Sequence, residues 1–383
     1  MARALYIHWP FCLKKCPYCD FNSHVRDGVD HALWQASLLA DLRREVETCG
    51  AEPLDSVFFG GGTPSLMPPA LVAALLAEAE RLCGFAPGIE ITLEANPSSV
   101  EAAKFAALAA AGVNRVSLGL QALDDETLRF LGRLHSVDES LSALEIAQNH
   151  FARVSFDLIY ARPGHTPAAW QAELARALGF GTGHLSLYQL TIEPGTRFAT
   201  MVREKQFTPL DDDAAADLFS LTREMTAAAG LPAYEISNHA RPGEESRHNL
   251  AYWQYRDTIG IGPGAHGRRM GFATTMHRKP ENWLAAVADC GTGLAEVRPL
   301  GTREQASEAL LMGLRLTEGL DLAALATRFV LTPADLCDFP RLDFLITQGL
   351  AWRSGSRIGV TEAGMGLLDG VLAEVVPAGL LAA

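Results

Sequence analysis

Cys12-Leu13-Lys14-Lys15-Cys16-Pro17-Tyr18-Cys19 sets three thiols within eight residues, directly after the apolar run Ala4-Leu5-Tyr6-Ile7-His8-Trp9. Thiols this close can ligate one metal centre, form a disulfide with one spare, or simply belong to a loop. The surrounding chain narrows the choice. Strand-like runs Leu5–Trp9, Ser56–Phe59, Glu90–Glu94, Arg115–Leu120, Arg153–Ile159 and His184–Leu190 alternate with helix-period segments His31–Thr48, Pro68–Leu82, Ser99–Ala111, Val137–Asn149 and Pro167–Leu178. The helical segments open on Pro, Ser, Thr or Asp, and Gly50, Gly84 and Gly112 follow three of them. Such alternation predicts parallel βαβ units with right-handed crossovers. Six units rather than eight predict an α/β fold of the incomplete (β/α)6 barrel type, open on one side and suited to a bulky ligand.

The polar residues gather where such a fold places its site. The thiols follow strand one, and Gly60-Gly61-Gly62-Thr63-Pro64 follows strand two. Glu94 and Asn96 close strand three, Gln121 closes strand four, and Asp157 lies in strand five. Active sites of α/β barrels form at these carboxyl ends. Past Tyr188-Gln189-Leu190-Thr191 the pattern changes. A helix is expected over Asp211–Ala229 and a short strand over Ala233–Ile236; residues 237–270 are rich in Gly, His, Asn and aromatics. The predicted organisation is a core barrel over 1–236, a connecting region over 237–300, and a smaller, mainly helical, winged-helix-like domain over 301–383.

The bulk composition excludes several classes. With 383 residues, 48% hydrophobic and 20% charged, the chain is long enough for two domains with substantial cores. A formal charge of −13 argues against a nucleic-acid partner, which calls for basic clusters. Neither a membrane span nor a signal-peptide core is evident, so a soluble, cytoplasmic protein is expected. Seven cysteines are too few for a secreted disulfide scaffold. Cys49, Cys83, Cys290 and Cys337 are scattered and are expected as small core residues.

A structural zinc site wants four ligands, usually as two close pairs. Cys12, Cys16 and Cys19 have no second pair, although His8 and His24 are near. A [4Fe–4S] cluster is held by thiolates, and three of them leave one iron free for another molecule. Glycines 60 to 62 let a polar group approach the backbone closely, although glycine is also ordinary turn punctuation. Glu94, Gln121, Arg133 and Asp157 read either as ligand-binding or as plain second-layer polar residues. Arg133 has the planar fork that suits a carboxylate.

The C-x3-C-x2-C spacing, Tyr18 before its last Cys and the Gly60–Pro64 turn together resemble the radical S-adenosylmethionine superfamily. That resemblance implies a [4Fe–4S] cluster on Cys12, Cys16 and Cys19, with S-adenosylmethionine on the open iron. Tyr6–His8, Leu93-Glu94-Ala95-Asn96-Pro97, Gly119-Leu120-Gln121, Gly132-Arg133-Leu134-His135 and Asp157-Leu158-Ile159-Tyr160 are similar to the branch containing oxygen-independent coproporphyrinogen III dehydrogenase. By position, the resemblance implies S-adenosylmethionine contacts from Tyr6, Tyr18, Gly61, Gly62, Thr63, Glu94, Gln121, Arg133 and Asp157.

Two departures separate the chain from the dehydrogenase. Phe21 stands where that enzyme has a further Cys, and the motif begins at residue 12 rather than behind a long N-terminal arm. Both features, with His248-Asn249-Leu250-Ala251-Tyr252-Trp253, resemble the HemW-type haem chaperones. The resemblance implies a carrier with no assigned catalytic residue, passing haem to acceptor proteins; the alternative is oxidative decarboxylation of coproporphyrinogen III. Haem is then expected on His248, Asn249, Tyr252 and Trp253, with His248 as axial ligand and His266 the next candidate. The plainer reading is that His248 and Asn249 stabilise a loop beneath Trp253.

Overall fold

The computed structural model describes residues 2–26 and 28–381. Its six sequence-expected strands form as β1 (Ala2–Trp9), β2 (Ala51–Gly61), β3 (Phe85–Ala95), β4 (Arg115–Gln121), β5 (Arg153–Tyr160) and β6 (His184–Gln189). They lie side by side in chain order, and every neighbouring pair is parallel. The residues of one face, Leu5, Ile7, Val57, Phe59, Leu93, Val116, Leu118 and Phe156, are buried against helices in one continuous apolar core. The alternate face carries Tyr6, His8, Ser56, Glu90, Glu94, Arg115, Arg153, Asp157 and His184. The strand period of two therefore separates an apolar outside from a polar concave inside.

Helix boundaries follow local chemistry. Helix α1 (His31–Cys49) starts where Asp30 accepts from the amides of Ala32 and Leu33, and stops at Gly50 with φ 62°. Helix α2 (Pro69–Cys83) has Pro at its first turn and Gly84 after its last. Helix α3 (Val137–His150) carries a reciprocal capping box between Ser136 and Glu139. Helix α4 (Pro167–Leu178) is capped by Thr166. The expected helix Ser99–Ala111 is instead broken into Ser99–Ala102 and Phe105–Ala110.

Residues 237–300 extend the same sheet at both ends. Strand β7 (Asn238–Ala240) pairs antiparallel with β6, whereas the expected Ala233–Ile236 strand is reduced to one bridge, Ala233 to His239. On the far side β8 (Thr258–Ile261) lies parallel to β1, followed by the antiparallel strands β9 (His266–Arg269), β10 (Phe272–Met276) and β11 (Leu294–Pro299). The result is one open sheet of eleven strands.

Two carboxylates on α1 anchor this extension. Asp41 accepts from the amides of Gly262 (3.1 Å) and Gly293 (2.8 Å), from Trp283 Nε1 (3.2 Å) and from Thr292 Oγ1 (2.9 Å). Glu45 pairs with Arg269 at 2.9 Å in a buried ion pair. Such groups are tolerated inside because each oxygen has partners. Trp34 of α1 stacks on Trp283 at 5.2 Å.

Between β7 and β8, helix α5 (Arg247–Trp253) enters the barrel from below. Glu90 of β3 accepts from the amides of Arg247 (3.1 Å) and His248 (3.2 Å) and pairs with Arg153 (2.6 Å). The C-terminal unit packs helices on a three-stranded antiparallel sheet of Leu320–Asp321, Arg357–Val360 and Ala351–Ser354 around a second core. Cys49, Cys83 and Cys337 are buried as expected; Cys290 is exposed. No helix among the described residues is long and apolar enough to cross a membrane.

Candidate functional site at the carboxyl ends of the strands

Cys12, Cys16 and Cys19 line one cleft, with a cavity volume of about 180 Å³, together with Tyr18, Gly61, Gly62, Thr63, Glu94, Gln121, Arg133 and Asp157. The glycine turn is shaped by its neighbours. A Cβ on Gly62 would stand 2.7 Å from the Phe11 carbonyl oxygen, and one on Gly61, at φ 114°, would stand 2.6 Å from the His8 ring. That close approach lets the Gly62 amide donate to Trp9 O (2.7 Å) and the Thr63 amide to Phe11 O (2.8 Å), pinning the start of the thiol loop.

Each sulfur has a distinct neighbour. Thr63 Oγ1 donates to Cys12 Sγ at 3.4 Å, Arg133 Nη1 donates to Cys16 Sγ at 3.4 Å, and Cys19 Sγ lies 3.8 Å from Ser23 Oγ. Burial pushes the Cys12 thiol up to about 11. All three are free thiols. No three His, Cys, Asp or Glu side chains among the described residues converge on a point that a single ion could occupy.

Arg133 organises the wall opposite the glycines. Its Nη2 donates to Asn96 Oδ1 (2.5 Å) and Gly119 O (2.9 Å), and its Nη1 lies 3.4 Å from Tyr18 Oη. Its Nε is buried with no partner, a donor left over for a ligand. Glu94 accepts from the Gly61 amide at 3.2 Å, and Ser117 donates to Asp157 at 3.3 Å. Burial, with Asp157 adding repulsion, pushes the Glu94 carboxyl up to about 8; burial also raises Asp157 to about 6. Gln121 ends β4 in the left-handed region at φ 71°, turning its side chain into the cleft. Asn96, which also donates to Thr63 Oγ1 at 3.2 Å, is the part of this wall that motif reading did not assign.

Tyr6, expected beside these residues, faces a neighbouring cleft with His8, Phe21, Asn22, Tyr252, His266 and Arg278. The haem segment is divided. Tyr252 lines that second cleft, but His248 is 3% exposed inside the barrel, stacked on Phe58 at 4.9 Å with Nδ1 on Ser56 Oγ at 3.1 Å. Trp253 lies 5.9 Å from the Arg315 guanidinium, at the C-terminal unit. Ser246 caps α5, its Oγ accepting from the backbone amide of Asn249 at 3.3 Å.

An open parallel sheet with a three-thiol loop after its first strand and a glycine turn after its second defines a radical S-adenosylmethionine protein. The radical SAM superfamily matches residues 6–176, and the HemN C-terminal domain matches 301–367. The chain belongs to the HemW family: it is 37% identical to the "Heme chaperone HemW" of Escherichia coli, over 96% of this chain and 97% of that one. The Mycobacterium tuberculosis "Heme chaperone HemW" is 35% identical over 96% of this chain and 93% of its own. The mouse "Radical S-adenosyl methionine domain-containing protein 1, mitochondrial" is 41% identical, over 83% of this chain and 74% of that protein. Among solved structures, coproporphyrinogen III oxidase (HemN) from Escherichia coli superposes with a TM-score of 0.81 at 22% identity, covering 97% of this chain and 89% of that one; this likeness shows the fold. Membership of the superfamily implies a [4Fe–4S] cluster and S-adenosylmethionine, and the free thiols and the unpaired Arg133 donor suit both.

Proposed function

We propose that this protein is a haem chaperone that binds haem and transfers it to acceptor proteins. The similarity to the Escherichia coli haem chaperone, spanning nearly the whole of both chains, carries this reading. Phe21 agrees with it: this position is filled by an exposed phenyl ring at the cleft rather than by a fourth thiol. In this reading Cys12, Cys16 and Cys19 hold the cluster, which when bound supplies an open iron and an electron. Arg133 and Asn96 face the carboxylate of S-adenosylmethionine. Glu94 beside Gly61 takes its ammonium, and Asp157 and Gln121 take its hydroxyl and ring edges. Tyr18 fixes the Arg133 fork, and Tyr6 closes the far side through His8. The free state of all seven cysteines supports residence in a reducing compartment, which we assign to the cytoplasm.

One preparation tests the function. After anaerobic reconstitution, stoichiometric haem uptake and delivery to an apo-haem protein, with coproporphyrinogen III left unconverted, is the expected result. Rapid formation of protoporphyrinogen would replace the carrier reading with the oxidative decarboxylase one.

A further inference from the structure

The second cleft, with a cavity volume of about 400 Å³, is of the size that holds a small cofactor and opens beside the cluster cleft. An axial haem ligand needs an imidazole nitrogen that is neutral, free of other partners and aimed at open space. Two histidines, His8 and His266, line this cleft, with His24 and His248 nearby, and of these His8, His24 and His248 have no such nitrogen to offer. His8 is spent on both sides: Nδ1 meets Tyr6 Oη at 3.0 Å and Nε2 meets Asn22 O at 2.9 Å. His24 is spent likewise: Nε2 meets Asn22 Oδ1 at 3.3 Å and the ring also bonds the Arg278 backbone. His248 keeps Nε2 unpartnered, but its ring is enclosed by Phe58, Tyr6 and Tyr252, with centroids 4.9, 6.2 and 5.1 Å away. A porphyrin plane cannot come within bonding distance of it without dismantling that box.

His266 differs in its surroundings. It opens β9 at the rim of the cleft and is exposed. Its one polar neighbour among the described residues is Thr275 Oγ1, 3.5 Å from Nδ1. With the Thr275 hydroxyl beside Nδ1, Nε2 has no hydrogen-bond partner among the described residues, as a histidine that ligates a metal requires. The strand itself is rigidly placed: a Cβ on Gly260 would stand 2.2 Å from the His266 carbonyl oxygen, so β8 and β9 meet in close contact. Around the imidazole the cleft offers what a haem presents. Phe21, 62% exposed, and Tyr252 give aromatic faces, and the exposed Arg278 brings a guanidinium for a propionate.

We propose that His266 Nε2 is the axial haem ligand, with the porphyrin lying in the second cleft between Phe21 and Tyr252 and a propionate on Arg278. This inference rests on the carrier reading and names the seat of its cargo. His248 then acts as a positioning residue, holding Tyr252 and Tyr6 from beneath.

The test uses the full-length, anaerobically reconstituted protein titrated with ferric haem, following the Soret band and the spin state by electron paramagnetic resonance. His266→Ala is expected to raise the haem Kd at least tenfold and to lose the imidazole-ligated spectrum, which added imidazole restores, while cluster absorption persists. His248→Ala is expected to keep the wild-type Soret position. In His266→Cys the spectrum is expected to change to a thiolate-ligated one, a readout that mere loosening of the strand does not produce. Wild-type Soret position and affinity in both His266 variants would overturn the assignment while leaving the carrier reading in place. Failure of the wild type itself to take up haem would overturn both.

Discussion

Glu94 is the residue whose protonation the cleft controls most directly. Its carboxyl, raised to about 8 by burial, is protonated at neutral pH when the cleft is empty. To pair with an ammonium it must first lose that proton, so affinity for S-adenosylmethionine is expected to climb with pH from 6 to 8, by close to tenfold per pH unit. Titration calorimetry in buffers of different ionisation enthalpy will read the released proton. Stability has the opposite sign. A folded-state pKa above the unfolded value means the native state binds more protons, so the stabilising contribution is full below about 4.5 and fades as pH rises through 8. Thermal melts of the ligand-free protein should therefore fall across that window. Glu94→Gln should flatten the slope and abolish S-adenosylmethionine binding. Sequence reading placed Glu94 and Arg133 correctly in this cleft because both belong to motifs at strand ends. It placed Asn96 at the end of strand three but gave it no contact, because its role emerges only when Arg133, 37 positions later, reaches it.

At the scale of elements, the six parallel strands were legible because their alternation of apolar runs and capped helices is a local property of the chain. The sheet extension was not. Strands β8 to β11 are short, four to six residues each, and their placement depends on Asp41 and Glu45 of α1, residues more than two hundred positions earlier. On a helix those two acids, four apart, read as a solvated face; only the arrival of Gly262, Gly293 and Arg269 makes them interior groups. The thiol loop depends on an element in the same way. Gly62→Ala places a methyl carbon 2.7 Å from a backbone carbonyl that has no freedom to retreat, so a loss of about 1–3 kcal/mol is expected, concentrated at the loop. Iron per chain after reconstitution should drop while far-ultraviolet circular dichroism stays near wild type.

Across the whole molecule, Tyr255 joins the barrel segment to the C-terminal unit. It follows α5 in the chain, yet its ring is 1% exposed within the second core. Its hydroxyl donates to Glu308 at 2.6 Å, Arg268 reaches the same carboxylate at 2.7 Å, and the Arg268 guanidinium lies 4.1 Å from the ring centre. Tyr255→Ala is expected to cost about 3–5 kcal/mol, and urea denaturation should then show the C-terminal unit melting ahead of the barrel. Trp253 and Tyr255 look alike in sequence to Tyr252, as a run of aromatics around one candidate ligand. A helix of seven residues sends neighbouring positions to different faces, so Tyr252 reaches the cleft while Trp253 turns toward Arg315.

Phe21, Gly61 and Glu94 border both clefts, so the proposed seats of cofactor and cargo have a wall in common. Two ligands that press on one wall do not bind independently. Whatever factor S-adenosylmethionine imposes on haem affinity, haem must impose on S-adenosylmethionine. Haem titrations with and without saturating S-adenosylmethionine are expected to differ by about fivefold or more, and the reverse pair of titrations by the same factor. Cargo release from the proposed seat would then depend on whether the neighbouring cofactor cleft is occupied.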